Sequence, residues 1–238
     1  GRKVRDSKKG GYGKISLAKG FEVSSNTVLV KAVTDSYGSN PKQFVDRINS
    51  YGLNKPLGIQ LIGEGKPIVP QPGAKDWYGT TLPWMAFGYN ISLTPLQTLT
   101  LYNAVANDGV MVKPYFVKEI KEWNNTIKKY DTEIIHPKIA SDEALTQVRA
   151  ILENVVKRGT GSKLYSKDFS MAGKTGTAQV NYKDKSQLHY ASSFAGYFPA
   201  NDPKFSCIVV VHKPKVTTGY YGADVAGPVF KRIAQKIY

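Results

Sequence analysis

The amino-acid sequence predicts an α+β fold in which an antiparallel sheet is packed with helices. Three runs of β-branched, small and apolar residues follow one another at about 169–180, 189–198 and 205–213. Residues 201–203 (Asn-Asp-Pro) form a turn signal between the last two runs. Consecutive strands joined by short turns are typical of an antiparallel sheet, and the amphipathic segments on either side of them are expected to pack on it.

The first helices are predicted before residue 52. Residues 15–23 indicate a short amphipathic helix, and a second helix is predicted from Asn26 towards Tyr37. A third begins near Pro41. Residues 57–84 are rich in glycine and proline and have little periodicity, so they predict a long loop. Loops of this length inside a domain are usually functional or strapped to a surface.

Three later helices are also predicted. Thr94 and Gln97 match a capping box, with Pro95 at the first helical position. Ser141 begins a further helix that has one apolar face. A final helix is predicted with Pro228 in its first turn, and it completes the chain.

The composition is that of a folded protein with an excess of positive charge. The chain has 238 residues, of which 41% are hydrophobic and 21% charged, and its net charge is +15. Basic residues crowd the first nineteen positions, where Asp6 is the only acid. Such a surface attracts nucleic acid, anionic lipid or an anionic polymer. Because no zinc-finger spacing or RNP-type aromatic motif accompanies it, nucleic acid is not predicted as a partner.

Cysteine and histidine usage gives no sign of a disulfide, a metal site or a cofactor. Cys207 lies alone in an apolar run and is predicted to be a buried strand residue. The histidines at positions 136, 189 and 212 lack the spacing of metal ligands. No run approaches 18 consecutive apolar residues, so no membrane span is predicted within the chain.

The most informative stretch begins at Lys174. Its small and β-branched residues suit a strand, and Gly176 leaves the strand edge bare where a ligand could lie against the backbone. Lys174 and Thr175 are expected to point to opposite faces of that strand. A lysine, the hydroxyls of Thr175 and Thr177, and an open edge together form a suitable seat for a carboxylate.

This K-T-G element has companions elsewhere in the chain. It is one of three elements of penicillin-binding proteins and serine β-lactamases, beside S-x-x-K and S-x-N, and residues 24–26 (Ser-Ser-Asn) supply S-x-N. Further blocks follow in the order that this family has: 92–97 (SLTPLQ), 106–109 (ANDG), 113–114 (KP) and 193–200 (SFAGYFPA). From about Gly13 to its end, the chain resembles the transpeptidase domain of class B penicillin-binding proteins. Residues 80–85 (TTLPWM) and 88–89 (GY) resemble the cell-division enzyme more than the elongation enzyme.

The resemblance implies a fold like that of penicillin-binding proteins and serine β-lactamases, and a serine-type D-Ala-D-Ala transpeptidase that needs no cofactor. In this family a serine attacks the carbonyl between two D-alanines of a peptidoglycan stem peptide, and an amine of a neighbouring strand resolves the acyl-enzyme. β-Lactams trap that intermediate. The expected parent is anchored in the cytoplasmic membrane of a bacterium, with this domain on the periplasmic or extracytoplasmic side and cell-division membrane proteins as candidate partners.

The resemblance also assigns roles to individual residues. Ser24 would relay a proton to the leaving group, Asn26 would hold the substrate amide, and Lys174 would supply positive potential. The hydroxyls of Thr175 and Thr177 would bind the terminal carboxylate. The backbone N–H of Thr177 would form half of the oxyanion hole, a contribution of roughly 3–4 kcal/mol in other hydrolases.

The nucleophile of the family is not found in this sequence. Residues 16–19 and 39–42 both match S-x-x-K, but the first lies too close to Ser24 and the second follows S-x-N and contains a proline. We interpret both as chance matches. Residues 1–238 are therefore expected to be the C-terminal portion of the domain, inactive alone and with an incomplete sheet on the N-terminal side. Its exposed strand edges predict self-association.

Other functions share parts of this pattern. A D,D-carboxypeptidase or a serine β-lactamase uses the same three elements with water as the acceptor. A β-lactam-sensing receptor domain, or a pseudoenzyme that serves as a scaffold in the division complex, would need no turnover. The block at 94–97 and the long loop favour the class B transpeptidase.

Overall fold

The computed structural model describes residues 3–181, 186–215, 217 and 219–237. The helices are α1 (Leu17–Glu22), α2 (Asn26–Tyr37), α3 (Pro41–Ser50), α4 (Thr81–Met85), α5 (Pro95–Ala106), α6 (Asp142–Arg158) and α7 (Gly222–Ile237), with a 3₁₀ turn at Ser162–Leu164. The strands are β1 (Met111–Val112), β2 (Glu119–Glu122), β3 (Asn125–Lys129), β4 (Ile134–His136), β5 (Ala172–Val180), β6 (His189–Phe198) and β7 (Phe205–His212). None of the helices formed by these residues is long and apolar enough to span a membrane.

The main sheet is antiparallel, with β6 in the centre between β5 and β7. Because side chains alternate along β6, Phe194 and Phe198 pack with Phe230 of α7 on one face, whereas Tyr197 packs with Leu152 of α6 on the other. Both faces of the central strand are therefore buried under helices. This arrangement confirms the predicted α+β class and the predicted antiparallel order of the three strands.

The capping signals in the sequence fix where several helices begin. At the start of α5, Gln97 N donates to Thr94 Oγ1 at 3.1 Å and Thr94 N donates to Gln97 Oε1 at 2.9 Å, which confirms the capping box. Ser141 Oγ accepts from Ala144 N at 3.3 Å and caps α6 with this single hydrogen bond.

The predicted start of the last helix is wrong. Helix α7 begins at Gly222, and Pro228 lies inside it. A proline usually ends or bends a helix because it lacks an N–H and crowds the residue before it. Here that residue is Gly227, whose missing side chain removes part of the clash.

The predicted long loop is present, with α4 at its end. The Glu64 carboxylate holds its first turn together, accepting from Gly58 N at 2.9 Å and Ile59 N at 3.3 Å. The buried Gln97 side chain ties the preceding segment to α5 by donating to Lys55 O at 2.8 Å. The loop is thus strapped to the body of the protein.

The outer edge of β7 is an open edge of the sheet. In the described part of the chain no strand pairs with it. Its inner residues, from Ser206 to Val211, are all half-buried, and none of them is charged. It therefore lacks the charges, prolines and bulges with which proteins commonly protect an edge strand.

Candidate active site

Strand β5 presents part of its backbone at an open edge. Gln179 N donates to Tyr89 Oη at 3.2 Å, and the carbonyl of its cross-strand partner Tyr190 accepts from Lys213 on the β7 side. Gln179 and Tyr190 are therefore a pair without mutual backbone hydrogen bonds. Because such pairs alternate in an antiparallel ladder, the N–H groups of Thr177 and Thr175 also point away from β6. This is the orientation that an oxyanion donor at Thr177 requires.

The turn between α1 and α2 carries the S-x-N element. Ser24 has a left-handed backbone, with φ at 54°, which is uncommon for a residue other than glycine. Ser25 is fully buried and caps α2 by accepting from Val28 N at 3.3 Å, and Asn26 is the first residue of that helix. The sequence signals for a helix start thus expose Ser24 at the tip of the turn.

The structure brings Ser24 and Lys174 together although 150 positions separate them in the sequence. Lys174 Nζ donates to Ser24 Oγ and to the Thr175 carbonyl oxygen at 3.2 Å, and it lies 5.7 Å from the centre of the Phe21 ring. Burial lowers the pKa of Lys174 to about 8. The ammonium thus lies in a setting where an anionic ligand would offset the cost of its burial.

The hydroxyl groups of the strand are already hydrogen-bonded. Thr175 Oγ1 lies 2.8 Å from Thr160 Oγ1 and 3.4 Å from Lys174 Nζ. The lysine head group therefore reaches the side of Thr175, although the two residues alternate along the strand as expected. Thr177 Oγ1 accepts from Gly222 N at 3.0 Å, which joins the strand to the start of α7.

The N-terminal segment lies across the S-x-N element, which the sequence did not predict. Asn26 Nδ2 donates to Arg5 O at 3.0 Å, so half of the amide is occupied by the backbone of this segment. The Asp6 carboxylate accepts from Thr27 N at 3.0 Å, from Thr27 Oγ1 at 2.9 Å and from Ser25 Oγ at 3.1 Å. Asp6 thus fixes the turn that carries Ser24. The one sequence feature that could have pointed to this role is that Asp6 is the only acid among the first nineteen residues.

A buried carboxylate, Glu22, lies beneath the site and pairs with two partly exposed cations, which the sequence did not predict. Glu22 is 1% exposed and accepts from Arg158 Nη2 at 2.8 Å and from Lys19 Nζ at 3.1 Å. The hydrogen bond from Arg158 is the main cause that lowers the pKa of Glu22. The backbone carbonyl of Glu22 accepts from Thr160 N at 3.0 Å, and Thr160 Oγ1 lies 2.8 Å from Thr175 Oγ1. Anchoring of Glu22 therefore helps to position Thr160 against Thr175. Charged residues two positions before a serine are too common for this role to be read from sequence.

In both S-x-x-K matches the lysine ammonium is bound to a carboxylate and not to the serine. Ser16 Oγ caps α1 by accepting from Lys19 N at 3.1 Å, while the Lys19 ammonium is bound to Glu22. Lys42 pairs with Asp46 at 2.7 Å on the surface. These contacts agree with the interpretation of both matches as chance.

Among residues 3–181, 186–215, 217 and 219–237, no group of His, Cys, Asp and Glu side chains is arranged to hold a metal ion.

Comparison with known proteins identifies the family. Residues 2–235 match the sequence model of the penicillin binding protein transpeptidase domain. The chain is 32% identical to stage V sporulation protein D of Bacillus subtilis, over 98% of this chain and 35% of that protein. It is 28% identical to peptidoglycan D,D-transpeptidase FtsI of Escherichia coli, over 98% of this chain and 37% of that protein. The chain therefore belongs to the penicillin-binding protein transpeptidase family, and it spans about a third of the length of these relatives.

Solved structures show the same fold. Penicillin binding protein 3 of Mycobacterium tuberculosis, in complex with aztreonam, superposes with a TM-score of 0.83 at 28% identity, over 98% of this chain and 53% of that one. The transpeptidase domain of penicillin-binding protein 3 of Burkholderia pseudomallei gives a TM-score of 0.77 at 24% identity, over 95% of this chain and 65% of that one. The resemblance to class B penicillin-binding proteins is confirmed.

Proposed function

We propose that residues 1–238 are the C-terminal portion of the transpeptidase domain of a peptidoglycan D,D-transpeptidase that also binds penicillin. The observation that carries this proposal is the contact between Ser24 and Lys174 beside the open edge of β5. It places a hydroxyl and an ammonium next to outward-pointing backbone N–H groups. A carboxylate-ended peptide could bind there as an added strand.

Each residue of the site has a part in the proposed reaction. The terminal carboxylate of the stem peptide lies against Lys174 and the Thr175 hydroxyl, and Asn26 holds the peptide amide. Thr177 N–H stabilises the oxyanion that forms when the nucleophilic serine attacks. Ser24 passes the proton from that attack to the leaving D-alanine amine. The serine and its lysine are proposed to come from an S-x-x-K segment upstream of these residues.

Penicillin labelling tests this assignment. The 238-residue chain and a version extended upstream by roughly one hundred residues, about one domain's worth, are incubated with benzylpenicillin, and the labelled residue is located by peptide mapping. We expect rapid labelling of the extended chain at a serine outside the 238 residues. An extended chain that folds and gains no such label would contradict the proposed function.

The cellular setting is proposed from the substrate. Peptidoglycan lies outside the cytoplasmic membrane, so the domain should lie on the periplasmic or extracytoplasmic side of a bacterial membrane. Residues 80–85 and 88–89 support a cell-division role, with membrane proteins of the division complex as partners. A fluorescent fusion of the parent protein that never gathers at the division site would contradict that role.

The 238-residue chain is also expected to self-associate through β7. Antiparallel pairing of two β7 edges satisfies the backbone groups of both strands and removes half-exposed valines from water. Val210→Lys places a charge on this strand and should shift the chain towards monomer, whereas Val148→Lys, on the half-exposed surface of α6, should not. Sedimentation velocity would measure both, and a wild-type chain that is monomeric at all concentrations would contradict the idea.

A further inference from the structure

The contact between Ser24 and Lys174 has the parts of a serine–lysine nucleophile. Lys174 Nζ forms a direct hydrogen bond to Ser24 Oγ, and Ser24 is partly exposed. Serine–lysine pairs serve as the nucleophile and base of hydrolases on unrelated folds. The proposed transpeptidase reaction uses Ser24 only to relay a proton, so its own reactivity is a separate question.

The backbone around Ser24 is built to hold this serine in an uncommon conformation. Its left-handed backbone is enforced on both sides, because Ser24 N donates to Phe21 O at 3.1 Å and Ser25 N donates to Gly20 O at 2.7 Å. A side chain at Gly20 would approach Val28 to 2.4 Å, so α1 and α2 cross at close range here. Strained backbone positions that the surrounding structure enforces are concentrated at functional sites.

The surroundings of Lys174 leave its amine able to act as a base. The lowered pKa of about 8 results from burial. The charged groups of the neighbouring elements are engaged with other partners: Glu22 with Arg158 and Lys19, Asp6 with Ser25 and Thr27, and Asp224 with Lys163. A substantial neutral fraction therefore exists at mildly alkaline pH.

We propose that Ser24 and Lys174 form a second nucleophile, which reacts with small activated acyl or phosphonyl donors without any upstream serine. As Ser24 Oγ attacks, its proton passes to neutral Lys174 Nζ. Thr177 N–H faces the open edge three residues beyond Lys174 along β5, where it can stabilise the oxygen that gains charge. With a fluorophosphonate donor, the Oγ–P bond forms, the P–F bond breaks, fluoride leaves, and the proton stays on Lys174. With a β-lactam, the ring C–N bond breaks and the ring nitrogen takes the proton from Lys174.

The test uses the 238-residue chain itself. The chain is incubated with a fluorophosphonate between pH 7 and pH 9, and the labelled residues are identified by peptide mapping. Labelling at Ser24 is expected to rise about tenfold over this range, because a group with a pKa near 8 is about one-tenth neutral at pH 7 and about nine-tenths neutral at pH 9. Ser24→Ala should remove the label, and Ser39→Ala, in the other S-x-x-K match, should leave it unchanged.

Two further measurements separate chemistry from folding. Lys174→Arg keeps the positive charge but cannot release its proton at these pH values, so it should abolish labelling while the thermal unfolding transition persists. Ser24 should also lose its reactivity in 8 M urea. Labelling of Ser24 that is absent, or equal in the folded and unfolded chains, would overturn the inference. Neither result bears on the proposed transpeptidase, whose nucleophile is located by the penicillin map.

Discussion

Replacing Lys174 with methionine should slow penicillin acylation of the upstream-extended polypeptide by about a hundred- to a thousandfold, the loss seen when one preorganised electrostatic group is removed from other active sites. Methionine keeps much of the length and the apolar stem, so it fills the space beside Phe21. What it lacks is the ammonium that contacts Ser24 and faces Thr175. The rate of acylation, followed by intact mass, is the measurement.

A matched control removes the same charge elsewhere. Lys42→Met deletes an ammonium that pairs with Asp46 on the surface, and it should change the acylation rate less than twofold. If the Lys174→Met variant were acylated as fast as this control, the proposal that Lys174 binds the substrate carboxylate beside β5 would be wrong.

The pH dependence of the same reaction follows from the pKa of Lys174, which is lowered to about 8. The second-order rate constant reports the protonation state of the free protein. Carboxylate-bearing donors need the ammonium, so their acylation rate should fall as the pH rises through about 8. Lys174→Arg should flatten this fall. The Ser24 reaction described above should change in the opposite direction over the same interval, which allows the two activities to be told apart in one titration.

Much of the fold is predictable because its signals are local. The capping box at Thr94 and the cap at Ser141 are satisfied by residues three positions away, so sequence alone locates both helix starts. The three main strands are apolar runs long enough to stand out. The strands of two to five residues, β1 to β4, were not predicted. Strand β1 pairs with β4, which lies more than twenty positions further along the chain, as in the pair of Met111 with His136. Strands β2 and β3 form a local hairpin, but nearly all of their residues are exposed, so no apolar run marks them.

The candidate site also has features that the sequence predicts and features that it does not. The family motifs placed Ser24 and Lys174 in one active site. The periodicity of hydrophobic residues could not have predicted that these two residues lie together. Other residues that support the site belong to none of the family motifs. They hold the motif residues in place through hydrogen bonds to backbone or hydroxyl groups, and they are Asp6, Glu22 and Thr160. These residues lie in three separate segments of the chain that come together only in the folded protein. No local sequence pattern therefore identifies them.

Gly222 is expected to be a highly sensitive position outside the motifs. A Cβ there would lie 2.3 Å from Ser193 O, 2.6 Å from Gly176 O and 3.1 Å from Gly176 N, and all three atoms belong to the backbone. Backbone in the middle of a paired sheet cannot rotate away as a flexible side chain can. The first turn of α7 therefore rests directly on the strand pair that carries the K-T-G element.

Gly222→Ala should force β5 and α7 apart and destabilise the fold by about 1–3 kcal/mol, the usual cost of overpacking. Because Gly222 N also donates to Thr177 Oγ1, the displacement should reach Thr177 and slow acylation beyond what the loss of stability explains. Gly79→Ala provides the control, since no atom lies within 4 Å of its added Cβ. Thermal unfolding and acylation rate are measured for both variants. If Gly222→Ala retained wild-type stability and rate, then the close packing of α7 on β5 would not be what holds the strand in place.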